Sequence, residues 1–177
     1  PADAANTILG DFFEEIGTTL RTSEVISALE RVASRRITPA SPQFEDYAGI
    51  LYLEGVKNKD YRGKYPHLNI LKEAKNINFP SSFTESEVEE LNAYLKPERD
   101  LKFNYKSAVI FHSKYCLNLR DVNHPANGSI STIKELPQIA YMRVAMFLTA
   151  NLPDEERLKE CKRIYDNISQ HKFTLAT

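Results

Sequence analysis

Residues 135–177 read ELPQIAYMRVAMFLTANLPDEERLKECKRIYDNISQHKFTLAT. From Gln138 to Thr149 apolar side chains occupy almost every face of a helical wheel, which predicts a helix buried all round. Arg143 is the one charge inside that run. It needs a partner or a route to water, and snorkelling is the expected solution. After Asn151-Leu152-Pro153 come three acids, Asp154, Glu155 and Glu156, which suit the N-terminal end of a helix dipole. Leu158, Cys161, Ile164, Tyr165 and Ile168 then recur as one apolar stripe, so the second helix is amphipathic. Phe173-Thr174-Leu175-Ala176-Thr177 reads as the start of an extended strand. The fold class this predicts is mainly α.

Working back from this stretch, Tyr115–Leu119 and Ile130–Ile133 alternate weakly around Asn123, Pro125, Asn127 and Gly128, predicting a small β-hairpin with a long tip and Cys116 at an apolar strand position. Asn104–Lys114 reads as helical, and Arg99-Asp100 before it as a local ion pair closing a turn. Thr84-Glu85-Ser86-Glu87 is a capping box that opens a helix through Val88, Leu91 and Leu95, stopped by Pro97. A short helix is expected around Leu68–Ala74, and Tyr61–Pro66 is the seam between two subregions. Upstream, Phe44, Tyr47, Ala48, Leu51, Tyr52 and Gly55 share a face of a helix ending near Lys57–Lys59. Helices are also expected over 8–20 and 22–36, the second capped by Thr22, with a linker at 38–42.

The chain has 177 residues, enough for one domain or one domain with a small appendage. A net charge of −1 gives no field that would favour nucleic acid or an anionic membrane. No apolar run approaches the roughly 18 residues of a membrane span, and no secretory leader is expected. Cys116 and Cys161 form neither a CxxC pair nor a disulfide framework, so a reducing, intracellular home is expected. His67, His112, His124 and His171 lack carboxylates or cysteines at metal-ligand spacing, so structural roles are expected and no metal. Cys161 is expected to pack as a small hydrophobe. No phosphate loop, GxSxG or HExxH occurs. The residues alone support a helical domain without a self-sufficient active site.

Five stretches together carry a family likeness. They are Pro97-Glu98-Arg99-Asp100-Leu101-Lys102-Phe103-Asn104-Tyr105; Lys114-Tyr115-Cys116-Leu117; Glu135-Leu136-Pro137-Gln138 with Tyr141-Met142-Arg143-Val144-Ala145; Arg157-Leu158 with Tyr165-Asp166-Asn167-Ile168-Ser169; and Phe173–Thr177. In order and spacing they resemble the N-terminal helical region of the large, catalytic subunit of class I ribonucleotide reductase. The resemblance implies two regions. Residues 61–177 would be that helical domain, with its hairpin and a terminal strand entering a ten-stranded α/β barrel. Residues 1–60 would be a partial or degenerate ATP-cone-like helical region.

The resemblance also implies roles. Thr177 matches the residue that contacts the substrate's diphosphate, and Thr22 falls at a Thr of the cone's nucleotide-effector site. Against the latter, the cone's basic opening hairpin is not found and Ile26 stands where its His would be. Neither cysteine matches a redox or radical cysteine, so no catalytic residue is expected here and the chain alone should be inactive. The implied partners are a second polypeptide carrying the catalytic barrel, a radical-generating small subunit and a ribonucleoside diphosphate substrate. No cofactor is expected on this chain, and ATP or dNTP effectors belong to the assembled enzyme. A split subunit is the preferred explanation for the end at Thr177, over intein-type processing or a cut piece. The implied location is the cytoplasm, a host's if the source is a phage or virus. The alternative function is a non-catalytic helical adaptor or an ATP/dATP-binding regulatory module.

Overall fold

The computed structural model describes residues 42–172. The helices expected over 8–20 and 22–36, Thr22, and the strand Phe173–Thr177 lie outside the described residues. Within them, α1 (Pro42–Tyr61) leads to a single-turn α2 (Ile70–Glu73), then α3 (Glu85–Tyr94), a 3₁₀ helix (Pro97–Lys102) and α4 (Tyr105–Lys114). The antiparallel strands β1 (Asn118–Asn123) and β2 (Ile130–Lys134) follow, then α5 (Pro137–Thr149) and α6 (Asp154–Ser169). No described helix is long and apolar enough to cross a membrane.

The boundaries follow local chemistry. Thr84 accepts from the Glu87 amide while the Glu87 carboxylate accepts from the Thr84 amide, so the capping box forms as read. α3 ends at Tyr94 with Leu95 as its C-cap, just ahead of Pro97 as read, and Pro97 starts the 3₁₀ turn, where its missing N–H costs nothing. Asn104 caps α4 by accepting from the Ser107 amide.

Helix α5 is the centre. Ile139, Met142, Ala145 and Met146 are fully buried, and α6 packs along it through Cys161, Tyr165 and Ile168. On the remaining sides, α1 packs against α4 and the 3₁₀ helix, and α2 packs against β1. The burial expected of α5 fails at one end, because Phe147 and Leu148 are 43% and 56% exposed.

Two local expectations are corrected, and the hairpin carries an irregularity of its own. The strands begin at Asn118 rather than Tyr115, because Tyr115 caps α4 and Cys116 lies in the turn, buried but outside the ladder. A bulge between Leu119 and Val122 puts one extra residue on β1, with Asp121 left-handed at φ 57°. Arg143 does not snorkel. Its Nε meets Glu135 Oε1 at 2.7 Å, and Glu135 is fully buried.

The turn Tyr61–Pro66 is knitted into the body. The Tyr61 hydroxyl donates to the Lys134 carbonyl of β2, and Tyr61 shares one hydrophobic cluster with α3, α5 and α6.

Candidate functional site

Adjacent residues of a 3₁₀ turn point about 120° apart. Arg99 and Asp100 therefore face different neighbours and do not form the local pair read from the sequence. Arg99 turns to α6, pairing with Asp166 at 2.8 Å, bonding the Ser169 hydroxyl and lying 5.3 Å over the Tyr165 ring. Asp100 turns into the core, where its carboxylate accepts from the Tyr65 hydroxyl at 2.7 Å and from Gln138 Nε2 at 2.8 Å.

Those bonds close a lattice. The Tyr65 hydroxyl accepts from the Gln138 amide, Tyr165 donates to Gln138 Oε1, and the Lys96 amide donates to the Tyr165 hydroxyl. Four segments (the turn at Tyr65, the 3₁₀ helix with its N-cap Lys96, α5 and α6) are tied through Gln138 at the start of α5 and Tyr165 in the C-terminal half of α6. Burial pushes the Asp100 carboxyl up to about 7, against the two hydrogen bonds that favour its anion. Burial also raises the Asp166 carboxyl, but the Tyr94 hydroxyl and Arg99 outweigh it and hold the group below its usual value. Sequence reasoning missed this lattice. The available signal was Gln138 itself, an uncharged polar residue at the head of a buried apolar run, where it requires partners.

The end of α6 is the second fixed point. The Lys172 amide donates to the Asn167 carbonyl and the His171 amide to the Ile168 carbonyl, both at 3.0 Å, with His171 left-handed at φ 58°. This is a Schellman cap with histidine where glycine is usual. The ring is held in compensation: Nε2 is 3.0 Å from the Tyr141 hydroxyl, and Phe103 packs edge-on at 5.2 Å. Arg99, through Ser169 and Asp166, clamps the same turn. The last described residues, His171 and Lys172, thus form a cap fastened to α5, α6 and the 3₁₀ helix. Thr177 and Thr22 themselves lie outside the described residues.

The other candidates have structural surroundings. Burial raises the Cys161 thiol to about 12 and the Cys116 thiol well above its ordinary value, which leaves neither as a thiolate near neutral pH. Burial, with Lys134, lowers His112 to about 4, and its Nδ1 is 2.9 Å from the Tyr52 hydroxyl. His67 meets Glu89 and His124 faces Asp60. Among the described residues no three His, Cys, Asp or Glu side chains gather as a metal site. The arrangement positions chain segments and presents no activated nucleophile.

Asp100 and His112 oppose each other in acid. Asp100, raised in the fold, contributes stability that is complete below its unfolded value and lost as pH rises through about 7. His112, lowered in the fold, costs stability as pH falls from 6.5 towards about 4, where the unfolded chain takes the proton first. Asp100→Asn should therefore lose more stability than the parent between pH 7 and pH 4 in urea-unfolding series. Parallel curves for the two proteins would refute the Asp100 assignment.

Residues 101–177 match the family model described as ribonucleotide reductase, all-alpha domain. The chain is 30% identical over 165 residues to a ribonucleoside-diphosphate reductase subunit alpha of Helicobacter pylori (strain 26695), covering 89% of this chain and 19% of that protein. It is 26% identical over 165 residues to ribonucleoside-diphosphate reductase 1 subunit alpha of Escherichia coli K12, covering 89% and 21%. With the subunit alpha of Enterobacteria phage T4 it shares 24% over 179 residues, covering 94% and 22%. The chain spans about a fifth of the length of the curated relatives it matches.

Proposed function

Because the chain belongs to the ribonucleotide reductase large-subunit family, in its N-terminal all-alpha part, we propose that it serves as the N-terminal helical part of a ribonucleoside-diphosphate reductase catalytic subunit. In this reading it buttresses a catalytic barrel supplied by a second polypeptide. The assembly takes a radical from a smaller subunit and reduces a ribonucleoside diphosphate, in the cytoplasm of a cell or of a phage's host. Residues 1–60 are the cone-like region, with α1 as its described element and Thr22 as its effector contact. Residues 61–177 are the helical domain.

The observation that supports this most is that the stretches carrying the likeness meet in the lattice. Arg99, Asp100, Gln138, Tyr165 and Asp166 all come from those stretches, and they converge on one fastening. In this reading the chain beyond Lys172 ends in Thr177, whose hydroxyl would meet the substrate's diphosphate. A hydroxyl donor to a charged phosphate oxygen contributes about 1.5–3 kcal/mol.

The experiment is reconstitution. The chain, a barrel-bearing polypeptide and a radical-generating subunit should together reduce CDP, and the chain alone should not. Thr177→Val in the assembly should raise KM for CDP about tenfold, in line with that bond. Turnover by the isolated chain, or failure of the barrel-bearing polypeptide to bind it, overturns the proposal.

A further inference from the structure

The tip of the hairpin holds the chain's one Asn-Gly pair, Asn127-Gly128. Asn127, Gly128 and Ser129 are all exposed. The Asn127 side-chain oxygen accepts twice from Ser129, from the amide at 3.0 Å and from the hydroxyl at 2.7 Å. An oxygen that reaches the amide two residues on carries its own Cγ forward, towards the peptide nitrogen of residue 128. Two donors on one carbonyl oxygen also draw electrons from its carbon. They stand where the negative charge of an attacked carbonyl would develop.

Gly128 offers its nitrogen with the least hindrance. It carries no side chain, its φ is 71°, and nothing lies within 4 Å of where a Cβ would stand. At other asparagines the following residue is larger, as at Asn123-His124, or its amide belongs to a helix, as at Asn167-Ile168 in α6. The Gly128 amide donates to the His124 carbonyl at 2.8 Å. Freeing it opens one backbone bond at an exposed tip, which costs far less than unfolding the hairpin. The bonds from Ser129 to Asn127 survive that opening, and Arg62 still holds the Ala126 carbonyl.

We propose that Asn127 is a self-modification site, which deamidates through a cyclic imide with Gly128 while Ser129 promotes the attack. The Gly128 nitrogen gives its proton to solvent, and its electron pair forms a bond to Asn127 Cγ. The Cγ–Nδ2 bond breaks, and Nδ2 takes a proton from solvent and leaves as ammonia. Water then adds to one of the two imide carbonyls and reopens the ring. One opening gives aspartate at 127, and the other gives isoaspartate, with the main chain routed through the side-chain carbon. Both products add a negative charge to the tip. Isoaspartate also lengthens the main chain between Ala126, held by Arg62, and Ser129, held by His124.

Peptide mapping by mass spectrometry tests this on the whole chain, kept folded in warm, mildly alkaline buffer. The peptide containing Asn127 should gain the mass of an –OH in place of an –NH2, and should resolve into two products. The isoaspartyl one should accept a methyl group from protein isoaspartyl methyltransferase. Ser129→Ala should slow the conversion by about three- to tenfold, the rate equivalent of one neutral hydrogen bond to the developing oxyanion. The same substitution in a free peptide of the tip sequence should change the rate little, since the bond belongs to the folded turn. Asn127→Gln should not convert, because its ring would need six members. Ser129 is exposed, and equal thermal unfolding of variant and parent confirms an intact fold. An unchanged Asn127 in the folded chain, after the free peptide has converted, overturns the proposal. Equal rates for parent and Ser129→Ala overturn it as well. The readout is mass rather than turnover, so the reductase reading and this site stand or fall separately.

Discussion

Gly49→Ala should lower stability and Gly55→Ala should raise it, although both residues sit inside the same helix. Alanine in place of glycine in a helix interior gains about 1 kcal/mol from backbone entropy alone. At Gly55 nothing lies within 4 Å of an added Cβ, so that gain should appear undiminished. At Gly49 the Cβ would lie 2.2 Å from the Phe103 carbonyl oxygen and 2.6 Å from the Asn104 carbonyl carbon. Both obstacles are main chain, at the junction of the 3₁₀ helix and α4, and cannot swing aside. Overpacking of this kind costs about 1–3 kcal/mol and sometimes more, so the clash outweighs the propensity. Urea midpoints should move in opposite directions. A stabilised Gly49→Ala protein would show that α1 does not cross so close to that junction.

Arg143→Met should be more damaging still. The guanidinium holds both oxygens of Glu135, at 2.7 and 3.1 Å, and also reaches the Tyr115 carbonyl. Glu135 is fully buried and its remaining partner is the Leu117 amide. Removing one member of a buried pair strands the other, at about 3–5 kcal/mol. Burial already raises the Glu135 carboxyl against the pull of Arg143. Without the arginine it rises further, so the variant should regain stability as pH is lowered and the carboxyl takes a proton. Adding Glu135→Gln should restore most of the loss, because an amide oxygen still accepts from Leu117 without carrying charge. A double variant no better than the single one would place the damage in lost packing instead.

What the sequence made legible was local. The Thr84–Glu87 cap needs only residues three apart, and the apolar stripe of α6 follows helical spacing, so both could be read directly. The family likeness was carried by short contiguous stretches, part of α6 among them, and the match over residues 101–177 agrees with it. What escaped depended on distance along the chain. Asp100 meets Gln138, 38 positions on, and Arg99 meets Asp166, so a contiguous Arg-Asp pair suggested a bond that the 3₁₀ geometry forbids. Nothing in the sequence marked Gly49, because the backbone it admits belongs to residues 103 and 104. Periodicity marked α5 as buried but could not show that its last turn, at Phe147 and Leu148, emerges. Thr22 and Thr177 were reached through family likeness rather than through any local pattern.

The histidine terminator of α6 also makes that helix a ruler. Each residue of an α-helix turns the axis by about 100° and advances it about 1.5 Å. One residue added or removed between Pro153 and Ser169 would swing His171 off Tyr141 and Phe103 and carry Asp166 away from Arg99. A glycine terminator would tolerate such drift, having no ring to misplace. The sixteen-residue count of α6 is therefore as much a specification as its composition, and length changes in this family member should be confined to loops such as the hairpin tip.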